Sequence, residues 1–253
     1  MILRAVEAGE GPSLILLHGL FGSAQNFATV QRKFAKRFRC IALDLRNHGG
    51  SPHDAAMSYG GMAVDVLDTL ADRTALPAML VGHSMGGKVA MRLALDRPDA
   101  TRRLIVADIA PVPYRPAFRD LAAAMQALPL TPGLTRASAD AHLAAAVPDP
   151  GLRAFLLQNL RVGAQPSWRI GLAEIASALP VIEGWDAPDG AMYPGPTLFV
   201  AGARSDYIRP DHRPAIRALF PTARFVTVKD AGHWVHAENP AGFVGVVEAF
   251  LSA

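Results

Sequence analysis

The chain is 253 residues long, 51% apolar and 19% charged, with a formal net charge of +3. That length buries a sizeable core as one α/β unit. The basic residues are scattered, and their densest groups, Arg32-Lys33 with Lys36-Arg37 and Arg102-Arg103, read as solvated faces, which argues against a nucleic-acid partner.

No apolar run approaches the ~20 residues of a membrane span. Met1 to Val6 shows no basic start leading into a long apolar stretch, the mark of a signal peptide. The one cysteine, Cys40, lies in an apolar run and reads as a buried strand thiol. The expectation is a cytoplasmic protein with no membrane partner.

Strand and helix signals alternate along the chain. Ser13-Leu-Ile-Leu-Leu17 is a continuous apolar run bounded by Gly11-Pro12 and His18-Gly19. Arg39 to Leu43, Ala78 to Val81, Leu104 to Ala107, Thr197 to Val200 and Arg224 to Val228 read alike. Runs apolar on both faces suit a parallel sheet covered on both sides. Helical patterns lie between them at Ala24 to Phe38, Tyr59 to Leu76, Lys88 to Leu95 and Ala241 to Leu251. In the second, Met62, Val66, Leu67 and Leu70 form one stripe. The alternation predicts an α/β fold with a doubly wound, mostly parallel sheet. The first strand is not followed by Gly-x-Gly-x-x-Gly, which argues against a dinucleotide site.

One stretch, Pro113 to Pro194, breaks the alternation. It is rich in alanine and leucine, and it reads as four short helices at Ala117–Leu128, Arg136–Val147, Leu152–Val162 and Trp168–Ile182, with no convincing strand. Asp149-Pro150 reads as an N-cap with proline in the first turn, and Ser167 as a further N-cap. An insert this long exceeds an ordinary connection. It predicts a helical lid over residues 113–194, with the core formed by residues 1–112 and 195–253.

Gly82-His-Ser-Met-Gly-Gly87 sits between a predicted strand and a predicted helix. Strand, Gly-x-Ser-x-Gly and helix make a nucleophile elbow, with Ser84 strained at its tip. Serine needs a base, and histidine suits. His233 follows Gly232 in the loop after Arg224–Val228, and is preferred over His236, which is expected to brace that loop. The spacing of the two also fits a metal pair, but a third ligand would have to come from elsewhere, and no metal is expected. His18-Gly-Leu-Phe-Gly22 ends the first strand and is expected to supply the oxyanion hole, with the Phe21 and Met85 amides as donors and His18 as a buried brace.

The acid is contested. Gly202-Ala-Arg-Ser205 places a serine three residues after the glycine, where an aspartate is usual, and Asp206 comes one residue late. Asp108 ends the strand Leu104–Ala107 and is the preferred acid, with Ser205 as a helper that hydrogen-bonds the histidine. Asp206 remains the alternative. Phe118, Met125, Trp168 and Trp234 are candidate walls of an apolar substrate pocket.

Taken together, His18-Gly-Leu-Phe-Gly22, Asp44-Leu-Arg-Asn-His-Gly49, Gly82-His-Ser-Met-Gly-Gly-Lys88, Asp108-Ile-Ala-Pro111, the serine after Gly202 and Gly232-His-Trp-Val-His236 resemble the small bacterial esterase and acyl-CoA thioesterase branch of the α/β-hydrolases. The resemblance spans the chain outside the lid. It implies an acid after the sixth strand, which supports Asp108 and Ser205. The lid itself, read from residues 113–194, is expected between the sixth and seventh core strands. It also implies a serine hydrolase that cleaves short- to medium-chain carboxylic esters, with acyl thioesters as a further substrate class, and needs no cofactor. The alternatives are a carbon–carbon bond hydrolase or a cofactor-free perhydrolase with the same triad, or a non-catalytic binding protein of this fold.

Overall fold

In the structure, a computed structural model that describes residues 1–252, seven strands form one sheet. They are β1 (Ala5–Ala8), β2 (Ser13–Leu17), β3 (Arg39–Leu43), β4 (Ala78–His83), β5 (Thr101–Ala107), β8 (Thr197–Gly202) and β9 (Arg224–Val228). Two further strands, β6 (Leu160–Arg161) and β7 (Ser167–Trp168), make a separate small hairpin. The spatial order is β1-β3-β2-β4-β5-β8-β9, and every neighbour is parallel except β1, which runs antiparallel to β3.

The apolar runs are explained by what covers them. Along β2, β4 and β5, Leu14, Leu16, Met79, Val81 and Ile105 enter one core, and Ile15, Leu17, Leu80, Leu104 and Val106 the other. The first core is closed by α1 (Ala28–Phe34) and α10 (Pro240–Ser252), the second by α2 (Tyr59–Asp72) and α3 (Met85–Asp96). Cys40 is fully buried in the first. Strand β1 was not legible in the sequence, because its half-exposed edge position needs no apolar run. The expected helix Ala24–Phe38 is a 3-10 turn, Ala24–Phe27, followed by α1.

Residues 113–194 form α4 (Arg119–Gln126), α5 (Arg136–Leu143), α6 (Pro150–Leu157), the β6–β7 hairpin and α7 (Leu172–Glu183). Asp149 caps α6 by accepting from the Leu152 amide at 2.6 Å, with Pro150 in its first turn. Ser167 is not a cap: it lies in β7, and α7 starts only after Gly171. The insert falls between the fifth and sixth strands of this sheet, not the sixth and seventh, because five sheet strands precede it and only β8 and β9 follow. The chain then returns through β8, α8 (Arg213–Leu219), β9 and the short α9 (Val235–Glu238).

Candidate active site

Ser84 sits between β4 and α3 with φ +52°, a left-handed conformation that strains a residue with a Cβ. The turn closes only because its neighbours are bare. A Cβ on Gly82 would run into the Gly86 carbonyl, and one on Gly86 into the Leu17 carbonyl. The Ser84 amide is held by the Ala107 carbonyl of β5 at 3.0 Å.

His233 lies in the loop between β9 and α9. Its Nε2 is 3.1 Å from Ser84 Oγ and its Nδ1 is 2.8 Å from Asp108 Oδ2. With Nδ1 donating to the carboxylate, Nε2 is left as the acceptor for the serine proton. Asp108 is fully buried at the end of β5. Its Oδ1 accepts from the Gly202 amide at 3.0 Å, and its Oδ2 also accepts from Ser205 Oγ. Ser205 therefore contacts the acid and not, as expected, the histidine. Asp206 is exposed at the rim of a cavity and makes no hydrogen bond to His233 among the described residues.

Two further contacts hold the base. His83 Nε2 donates to the His233 carbonyl at 2.8 Å, and the Tyr207 ring stacks on the His233 ring at 4.0 Å. Neither residue was given a role in the sequence, although His83 lies within the serine motif. His236 is buried, stacked on Phe27 at 4.7 Å, and braces the loop from below.

The loop after β2 corrects one expectation. The Phe21 amide is not free for a substrate oxyanion, because it donates to Nε2 of the buried His48 at 3.1 Å. His48 Nδ1 in turn donates to the Arg46 carbonyl at 2.8 Å. Burial holds His48 down at about 3, so its ring stays neutral and able to accept. His18 acts as the expected brace: Nε2 accepts from the Leu45 amide at 3.0 Å and Nδ1 donates to the Gly19 carbonyl at 2.8 Å. The backbone donors beside Ser84 with no partner among the described residues include those of Gly19, of Leu20 and of Met85, the first residue of α3.

Two cavities meet at Ser84. One, of ≈ 430 Å³, has polar walls that include Tyr59, Lys88, Tyr114 and Glu183. The Lys88 ammonium lies 4.9 Å from the Tyr114 ring centre and 5.5 Å from that of Tyr59, and burial pushes it down to about 7. The other, of ≈ 360 Å³, is walled by Leu121, Leu152, Phe155 and Trp234. Phe118 borders both. Met125 and Trp168 border neither. Met125 is fully buried in the core, and Trp168 packs under the insert with Nε1 donating to the Met125 carbonyl at 3.1 Å.

The model of the alpha/beta hydrolase family matches residues 14–246. The chain belongs to the alpha/beta hydrolase family. It is 43% identical over 250 residues to the sn-1-specific diacylglycerol lipase ABHD11 of Mus musculus, covering 95% of this chain and 81% of that one. It is 35% identical over 240 residues to esterase YbfF of Escherichia coli K12, covering 94% and 92%. A solved structure, a marine microorganism esterase, superposes with a TM-score of 0.95 at 33% identity, covering 98% of this chain and 99% of that one. These relatives are carboxylester hydrolases by name, and this hydrolase is of the esterase and lipase type. No helix among the described residues is long and apolar enough to cross a membrane.

Proposed function

We propose that this hydrolase cleaves carboxylic esters through an acyl-enzyme on Ser84. The observation that carries the reading is the unbroken relay from Ser84 Oγ through His233 to the buried Asp108 carboxylate, at 3.1 and 2.8 Å. His233 Nε2 takes the serine proton as Oγ attacks the carbonyl carbon. The Met85 and Leu20 amides receive the developing oxyanion, each donor being worth roughly 10²–10³ in rate. Protonated His233 passes its proton to the departing alcohol or thiol, and water then repeats the sequence on the acyl-enzyme. Asp108 fixes the tautomer and balances the imidazolium charge, and Ser205 and the Gly202 amide hold Asp108 in turn.

The cavity sizes support short- to medium-chain acyl groups, with acyl thioesters as a second class cleaved by the same steps. Residues 113–194 act as a lid, since Phe118, Leu121, Leu152 and Phe155 reach the cavities from it while the relay lies wholly in the core. The test is covalent labelling. A fluorophosphonate should modify Ser84, and Ser84→Ala should lose labelling and reduce ester turnover by around 10⁶, the loss seen in other triad hydrolases. A correctly folded Ser84→Ala enzyme that keeps a tenth of the turnover excludes the acyl-enzyme.

A further inference from the structure

We propose that Asn159, a residue of the insert, is a positioning residue for the oxyanion hole. This rests on the reading of Ser84 as nucleophile. The hole needs the Leu20 amide aimed at the substrate, and that amide belongs to a loop closed by a single backbone bond, from the Gly22 amide to the Gly19 carbonyl at 3.0 Å. The next residue, Phe21, has φ +59°, a conformation that persists in a non-glycine residue only where the surroundings over-determine it.

Both ends of the Phe21 residue are indeed pinned. Its N–H goes to His48 from the core side, and its carbonyl accepts from Asn159 Nδ2 at 2.7 Å. Asn159 is only 4% exposed, so this bond is shielded from water. The asparagine is itself fixed. Its Nδ2 also reaches the Leu156 carbonyl at 3.3 Å, and its backbone carbonyl accepts from the Arg169 amide at 2.7 Å. The second contact ties it to the β6–β7 hairpin.

Asn159 is thus one of two buried amide or carboxylate side chains that the insert contributes, and it is spent on the loop that carries the Leu20 amide. The other, Glu183, accepts from the Ala117 and Phe118 amides within the insert. The clamp joins the insert to the chemistry, not only to substrate size. With His48, and with the turn bond from the Gly22 amide to the Gly19 carbonyl at 3.0 Å, it fixes the Gly19–Leu20–Phe21 segment, whose Leu20 amide is left without a partner among the described residues.

The test compares Asn159→Asp and Asn159→Ala with Arg161→Ala, which alters an exposed side chain of the same hairpin. Three quantities are read: kcat and KM for p-nitrophenyl acetate, the affinity of a trifluoromethyl ketone, and the thermal midpoint. The ketone adds to the serine and places an oxyanion in the hole. A hole misplaced by a fraction of an ångström should lower kcat about 10- to 100-fold. Ketone affinity should fall by the same factor and KM change by less than about twofold, the pattern of an interaction made only in the transition state. Arg161→Ala should behave as wild type. A lowered midpoint with unchanged kcat and ketone affinity makes Asn159 a packing residue and overturns the proposal, as do equal losses in Arg161→Ala. Fluorophosphonate labelling of the wild type separates this from the underlying reading. A labelled wild type with unimpaired Asn159 variants overturns the clamp alone, whereas an unlabelled wild type overturns both.

Discussion

The carboxyl edge of the sheet and the helical insert are held together on opposite terms. The edge buries polar groups and gives nearly all of them partners. Asp44 accepts from the Ala24 and Gly50 amides and from Arg4, and Arg46 grips Asp65 through two nitrogens at 2.7 and 2.9 Å. His18, His48, His83 and Asp108 are likewise buried and bonded. The insert buries chiefly alanine, leucine, isoleucine and methionine, and its buried amide and carboxylate side chains are Asn159 and Glu183 alone. Where position is set by directed hydrogen bonds, a one-atom change alters chemistry. Where it is set by packing, the same change alters stability or pocket size.

The largest effect should come from the edge. Asp108→Asn keeps the shape but offers His233 the wrong partner, and it should lower kcat by about 10⁴, as in a chymotrypsin-type triad. Asp206→Asn, at an exposed position, should leave kcat within about tenfold of wild type. Ser205→Ala removes one hydrogen bond to a charged carboxylate, worth about 1.5–3 kcal/mol, and should fall between the two. The measurement is kcat for all three with one activated ester at pH 8. A crippled Asp206→Asn beside an active Asp108→Asn would reverse the assignment of the acid.

The insert should respond differently, and its two kinds of residue should separate. Met125→Ala opens a cavity in the core and should destabilise by about 2–5 kcal/mol, read from denaturant midpoints. It should change the folded enzyme's turnover of short and long esters in equal proportion. Phe155→Ala removes a cavity wall. It should shift the ratio of kcat/KM between acetate and octanoate esters, since each buried methylene contributes about 0.8 kcal/mol. A chain-length shift in Met125→Ala, or none in Phe155→Ala, breaks the comparison.

The same contrast explains what the sequence disclosed. Ser84, His233 and Asp108 were legible because strand ends and glycine spacing fix where a backbone turns, and the parallel register carries those ends to one edge. Phe21 was misassigned because spacing says which loop faces the serine but not where each amide points. His48 lay 27 residues away and intercepted that amide. Met125 and Trp168 were placed in the pocket because an apolar side chain on a short helix looks the same whether it meets a cavity or a neighbouring helix. Asn159 gave no signal, since it fell inside the expected helix Leu152–Val162, where a lone asparagine reads as a surface position.

A last effect, on stability and not on turnover, tests the edge through its histidines. His236 is held down to about 4, first by burial and then by the neighbouring His233, and its Nδ1 finds no partner among the described residues. In the unfolded chain the same ring titrates near its ordinary value of 6.5. Between these values the unfolded state binds the proton and the folded state does not, so stability falls as pH drops from 6.5 towards 4 and is fully present above that window. The loss is on the order of 3 kcal/mol by the bottom of the window. His236→Leu removes the group that must be charged on unfolding and keeps an apolar contact with Phe27. Its unfolding free energy, measured by denaturant at pH 7 and at pH 4.5, should therefore decline less than that of the wild type. His142 is the insert's histidine and is exposed, so His142→Ala should track the wild type at both pH values. Parallel curves for His236→Leu and wild type would show that the acid sensitivity of the edge resides in its other buried groups, not in this ring.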